Sequence, residues 1–107
     1  MNYNRFKLTV YVPETHLESV KEALFAAGAG RYDGYDRCCW QVRGTGQFRP
    51  LDGSSPYIGV VGRTESVQEW RVEMICPEDR LPDIKAALMK AHPYQVPAYD
   101  FIRTDLV

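Results

Sequence analysis

The residues best equipped for chemistry fall in two short stretches. His92 and Tyr94 sit in Ala91-His92-Pro93-Tyr94, with Tyr99 a few positions on, and Glu69, Arg71 and Glu73 alternate upstream. That alternation puts all three on the same face of a strand. A histidine, tyrosines and a carboxylate converging on a cleft rim could hold a divalent cation or a small polar ligand. The candidate metal set is His92 with Glu69 or Glu73. Plainer roles compete for the same side chains. His92 could cap the C-terminal end of a helix, where a protonated imidazole favours the dipole. The Glu69-Arg71-Glu73 row could be a charge ladder with Lys7 and Thr9 across a sheet, or an intersubunit pairing with Arg71 bridging two carboxylates. Both accounts of that row stand.

Other groups give weaker signals. Cys38 and Cys39 are adjacent, without C-x-x-C spacing or a nearby histidine pair, so burial of at least one is expected ahead of a metal role. A soft-metal site would need Cys76 as well. Gly44-x-Gly46 is too short for a phosphate loop, and neither a Walker Lys-Ser/Thr nor a dinucleotide spacing follows it. Turn chemistry explains those glycines, while Arg43, Arg49 and Arg63 leave an anion or nucleotide contact as the minor reading. His16, between Glu14 and Glu18, should be solvated. Ser19, Ser54, Ser55 and Ser66 show no nucleophile elbow, so no nucleophile–base arrangement is expected.

The elements that must position these residues emerge from a repeat. Shifted by 64 positions, Phe6–Asp36 aligns with Trp70–Asp100 without a gap. Each unit opens on period-two apolar residues, Phe6, Leu8, Val10 and Val12 in the first, Trp70, Val72, Met74 and Cys76 in the second. That is a strand with one buried face. Pro13 and Pro77 end these strands. Leu17, Val20, Leu24 and Ala27, then Leu81, Ile84, Leu88 and Ala91, follow at helical spacing. Gly28 and His92 mark the helix ends, and Pro93 prevents continuation. Cys38–Arg43 and Ala98–Arg103 read as the closing strands.

Two such units predict an α+β, ferredoxin-like β-α-β-β-α-β fold, an antiparallel sheet with two helices on one face. The expected division is one domain over 1–107: a first βαβ unit at about 5–43, a Gly/Pro-rich hairpin loop at 44–66, and a second unit at about 67–104. The sheet's other face would carry Lys7, Thr9 and Tyr11 beside Arg71, Glu73 and Ile75, a surface suited to self-association.

Composition narrows the function classes. Thirteen basic against 14 acidic side chains give a net charge of −1, which argues against a phosphate-tracking nucleic-acid binder. No apolar run approaches the roughly 18–20 residues of a membrane span. The start, Met1–Lys7, has no apolar h-region, so no secretory signal is expected. Three cysteines cannot all pair within the chain, which favours a reducing cytoplasm.

One family carries these motifs in the same order. Phe48-Arg49-Pro50-Leu51-Asp52-Gly53-Ser54-Ser55-Pro56-Tyr57-Ile58-Gly59 has the form F-x-P-x-x-G-x-x-P-x-I-G. Gly30-Arg31-Tyr32 and Gly44-x-Gly46 precede it; Glu69-x-Arg71-x-Glu73, Ala91-His92-Pro93-Tyr94 and Pro97-Ala98-Tyr99-Asp100 follow. Over almost the whole chain this resembles the domain inserted in YqfO-type members of the Nif-three-like family, the GTP cyclohydrolase I type 2 homologues. The resemblance implies a fold similar to PII signalling proteins and the trimeric CutA proteins. It also implies that the family's dinuclear metal site belongs to a flanking parent domain. With only His16 and His92 here, that site cannot be rebuilt, and the cyclohydrolase activity is not expected of this chain, which looks like the accessory domain alone. One departure is that Gln95 stands where the family has Glu.

The resulting expectation is a non-catalytic oligomeric module, a trimer by resemblance with a dimer as the alternative, that binds a small molecule, metal ion or protein partner. The candidate ligand residues are Tyr32, Gly44, Gly46, Phe48, Glu69, Arg71, His92, Tyr94 and Tyr99. A divalent-metal protein of CutA type, using His92 with Glu69 or Glu73, or the cysteines, is the main alternative, and a nucleotide hydrolase the third.

Overall fold

Alternating apolar residues do form the central strands. A computed structural model describes residues 4–105. β1 (Arg5–Pro13), β2 (Trp40–Phe48), β3 (Glu65–Pro77) and β4 (Tyr99–Arg103) make one sheet in the order β2-β3-β1-β4. All three pairings are antiparallel. Two helices, α1 (Leu17–Ala26) and α2 (Leu81–Ala91), follow β1 and β3, each entered through a 3₁₀ turn after Pro13 or Pro77. This is the ferredoxin-like arrangement of two interleaved βαβ units.

Register decides which face is core. Leu8 opposes Met74 and Phe101, and Val10 opposes Val72 and Tyr99. Leu8, Val10, Val72 and Met74 join Val20 and Leu24 of α1 and Ile84 and Leu88 of α2 in one buried cluster, with Tyr99 and Phe101 packed against it. α1 ends in a Schellman turn: Gly28 N–H bonds Phe25 O, Ala29 N–H bonds Leu24 O, and Gly28 takes φ +110°. Among the described residues no helix is long and apolar enough to cross a membrane.

Several boundaries differ from the sequence reading. The expected loop at 44–66 loses both ends to strands, because β2 runs through Gly44 and Gly46 to Phe48 and β3 already begins at Glu65. Every residue from Gly44 to Phe48 has a partner on β3, and this pairing overrides the weak strand preference of glycine. Cys38 and Cys39 lie before β2, which starts at Trp40, so the closing strand begins two residues later than expected. They belong to an irregular passage in which Asp33 and Arg37 take positive φ. β4 starts at Tyr99, one residue later than expected.

Candidate ligand cleft

Unequal strand lengths build the cleft. β1 stops at Pro13, opposite Glu69, so the Glu65–Gln68 part of β3 is paired with β2 and extends beyond β1. The chain following β2, residues 49–64, folds back there, and the chain following α2 meets it. Gly62 N–H bonds Pro50 O at 2.8 Å, and Ser55 N–H bonds Gln95 Oε1 at 3.1 Å. Between these segments lies a cleft of about 280 Å³ whose walls include Phe48, Tyr57, Glu69, Tyr94, Gln95 and Val96.

His92 anchors the second wall from beneath. Its backbone N–H completes α2 by bonding Leu88 O. Its ring, only 6% exposed, donates from Nε2 to Tyr11 O at 2.7 Å. Nδ1 then accepts the Tyr94 N–H at 3.1 Å. Both nitrogens are therefore committed in the neutral tautomer, and burial holds the imidazole pKa below its ordinary value despite the Tyr11 carbonyl and Glu69 pulling the other way. The expected cationic helix cap is corrected accordingly: the backbone caps, while the ring is a neutral tie between α2 and β1.

Tyr94 is the hub above it. Its ring stands 4.9 Å from that of His92 and 6.3 Å from those of both Phe48 and Tyr57. The phenol donates to Glu69 Oε2 at 2.8 Å. Burial first, then the bond to the Glu69 carboxylate and its charge, push the Tyr94 pKa well up, so the hydroxyl remains a donor. Glu69 in turn needs Gly46. A Cβ on Gly46 would lie 2.0 Å from Glu69 Oε1, so the missing side chain is the space the carboxylate occupies.

Of the residues singled out by sequence, the structure brings Gly46, Phe48, Glu69, His92 and Tyr94 together. Gly44 is opposite Glu69 but faces open space. Arg71 and Glu73 share the Glu69 face of β3 and form a separate cluster, with Glu73 bonded to Arg71 at 2.7 Å and to Lys7 at 2.9 Å. The Lys7 hydrogen bond, more than the opposing desolvation, holds the Glu73 carboxyl below its usual pKa. Tyr99 turns to the core side and packs on Phe101 at 6.0 Å. Tyr32 lies at the far end of β1, with the Arg5 guanidinium 4.7 Å over its ring. Sequence reasoning missed Tyr57, whose ring meets Tyr94 and, edge-on, His16 at 5.7 Å. An aromatic residue inside a Gly/Pro-rich loop was the available signal. Gln95 stood out only as a departure from the family, whereas its carbonyl ties the two walls; a glutamate oxygen could accept the same bond.

As a set, His92, Glu69 and Glu73 do not fit a divalent ion. Both His92 nitrogens hold backbone groups, and Glu73 is saturated by two cations. Among the described residues no three His, Cys, Asp or Glu side chains come together in a metal-holding group. Cys38 and Cys39 are half-buried beside Trp40, whereas Cys76 is buried on the core face, its thiol pushed up to about 12 by desolvation.

The outward face of the sheet is the other notable surface. Trp40, Val42, Tyr11 and Ile102 are exposed on it, Trp40 by 59% of its area, around the Lys7–Glu73–Arg71 ladder.

Known proteins similar to the chain are longer than it. No family model matches the chain. Over 95 residues it is 45% identical to a GTP cyclohydrolase 1 type 2 homologue of Halalkalibacterium halodurans, a match covering 89% of this chain and 26% of that protein. The crystal structure of a Bacillus cereus protein related to NIF3 superposes with TM-score 0.84 at 38% identity, over 97% of this chain and 26% of the other. The divalent cation tolerance protein CutA1 of Thermus thermophilus has TM-score 0.68 at 19% identity, covering 96% of this chain and 86% of that one, a likeness of fold. The chain thus spans about a quarter of the length of the curated relatives it matches. It is similar to one segment of the GTP cyclohydrolase 1 type 2 homologues and of the NIF3-related protein, and its fold is like that of CutA1.

Proposed function

We propose that the chain is a non-catalytic, self-associating module that binds a small ligand in the Phe48–Tyr57–Tyr94 cleft. The observation that carries this is the way Tyr94 joins three sequence-distant segments into one apolar-walled recess with a single carboxylate at its floor. Recesses with few, fixed polar groups are typical of ligand sites. Its ionisable groups are arranged to hold rather than exchange protons: the His92 ring is tied at both nitrogens, and the Tyr94 phenol stays protonated. The cyclohydrolase in the relatives' names is therefore not assigned to this segment. A nucleotide-hydrolase role meets a carboxylate at Gly46, where a phosphate would need donors. The divalent-cation role in the CutA name has likeness of fold behind it and meets donors already engaged.

Self-association follows from the exposed Trp40, Val42, Tyr11 and Ile102 on the outward sheet face, a trimer by analogy of fold or else a dimer. Three free thiols suit the cytoplasm. The test is an aromatic-resonance NMR titration of the protein with a fragment set, run beside light scattering at micromolar concentration. Perturbations gathered at Phe48, Tyr57 and Tyr94, in an oligomer that Trp40→Glu dissociates, support the reading. Perturbations confined to other surfaces overturn the site, and a monodisperse wild-type monomer overturns the assembly.

A further inference from the structure

Resting on the cleft reading above, we infer that the ligand is a small organic ammonium ion with a short apolar body. Among the described residues, Glu69 is the only ionisable acid or base lining the cleft apart from the tyrosines, and no lysine or arginine lines it. Among the described residues its carboxylate has a hydrogen bond from Tyr94 but no ion pair. Glu73, four residues along the same strand face, shows the contrast, with Lys7 and Arg71 both against it. The sequence therefore leaves one carboxylate in the recess without a counter-ion and clears room for it by placing glycine at 46.

The surroundings favour a cation for a second reason. Phe48 and Tyr57 each lie 6.3 Å from Tyr94, inclined to it by 51° and 46°. Three π systems thus line the cleft that holds the carboxylate, and an ammonium within about 6 Å of such rings is attracted to their negative faces. An anionic ligand would meet repulsion from Glu69 with no basic side chain on the cleft wall to offset it. The Tyr94 hydroxyl donates toward Glu69, so the unshared lone pairs of that carboxylate remain for an N–H donor. A volume of about 280 Å³ suits a molecule of a few heavy atoms rather than a nucleotide.

The test compares choline with its neutral carbon isostere, in which a tert-butyl group replaces trimethylammonium, and butylamine with butanol. Each is titrated into the full chain while the Phe48, Tyr57 and Tyr94 ring resonances are followed, with acetate as an anionic probe. The expected result is saturable shifts with at least one cation, weakened roughly tenfold or more in its neutral partner. Glu69→Gln should produce a similar loss, while Asp79→Asn, which removes an exposed carboxylate in the 3₁₀ turn after β3, leaves binding unchanged. Equal binding of the cation and its isostere, or tighter binding of acetate, overturns the ammonium assignment and leaves the cleft as a ligand site. Fragments that bind the cleft while both cations leave it unperturbed overturn the ammonium assignment in the same way. No perturbation by any compound overturns both readings.

Discussion

Replacing Gly46 by alanine tests whether the cleft is organised around Glu69. Gly46 is in extended β2, so alanine is compatible with its backbone, but the new Cβ would fall 2.0 Å from Glu69 Oε1 and 2.7 Å from its Cδ. The atoms it meets are the end of a flexible side chain, so Glu69 swings out instead of the strand shifting. The Tyr94–Glu69 hydrogen bond, 2.8 Å long and with an ionised acceptor, is then lost. A bond of that kind contributes about 1.5 kcal/mol, at the low end of its range because the cleft is open. Alanine restores about 0.5–1 kcal/mol of the entropy that glycine costs in a strand. The net loss is about 0.5–1 kcal/mol, a few degrees in Tm for a domain of this size. Glu69→Gln keeps a neutral acceptor and should cost about as much. The two substitutions act on one bond, so the second should cost almost nothing once the first is made. Urea denaturation of the four proteins at one protomer concentration gives the coupling directly. In parallel, ring-labelled tyrosine should report a lower Tyr94 pKa in Gly46→Ala, because the charge and bond that oppose phenolate have moved away. Additive penalties, or an unmoved Tyr94 titration, would falsify the account.

Three further outcomes follow from the same geometry. The His92 pKa is depressed in the folded state, so its contribution to stability is complete above the ordinary value of about 6.5 and is lost as pH falls toward the folded value. Urea midpoints should therefore decline from pH 7.5 to pH 5 less steeply in His92→Gln than in wild type, and an identical slope would exclude His92 as the source. Cys76, buried with its thiol pushed up to about 12, should resist an aromatic disulfide reagent at pH 8 until urea unfolds the chain, while Cys38 and Cys39 react first; simultaneous titration of all three would contradict that placement. Leu88→Ala, at a fully buried α2 position, should cost about 2–5 kcal/mol in urea denaturation, a loss below 1 kcal/mol counting against the shared core.

The fold was legible because its information is local and periodic. Leu8, Val10 and Val12 repeat every second residue, Val20 and Leu24 recur at helical spacing, and all five are buried. The shift of 64 carries Pro13 onto Pro77 and Leu17 onto Leu81, and the structure starts its helices at those two leucines. The cleft was legible only in part. Glu69, His92 and Tyr94 stand out by type, but the bond joining Glu69 and Tyr94 spans 25 residues and that joining His92 and Tyr11 spans 81. Nothing local distinguishes Tyr94, which faces the cleft, from Tyr99, which faces the core five residues later. Gly46 misled for a related reason. Its lack of a side chain reads as turn chemistry, whereas its use is to admit a carboxylate from the neighbouring strand.

The cleft and the core are mechanically one object, and this limits how a ligand signal could travel. β1 ends at Pro13, and two residues earlier the Tyr11 carbonyl receives the His92 ring. The Tyr11 N–H meanwhile bonds Ala98 O, so both sides of the segment 92–98 are pinned to one residue of the central strand. Between those pins sit Tyr94, Gln95 and Val96, three members of the cleft wall. The Tyr11 side chain projects from the outward sheet face, opposite Arg71, which has the exposed Val42 on its other side. An occupant that displaced Tyr94 would strain the His92 tie and load Tyr11, whose side chain belongs to the surface proposed for self-association. Coupling between ligand and assembly then has a short physical route, through one imidazole and one strand residue. It is measurable as a linkage: if ligand shifts the subunit equilibrium by some factor, dilution must shift ligand affinity by the same factor. His92→Gln, which alters the tie at a residue that lines neither the cleft nor the outward face, should reduce both effects together.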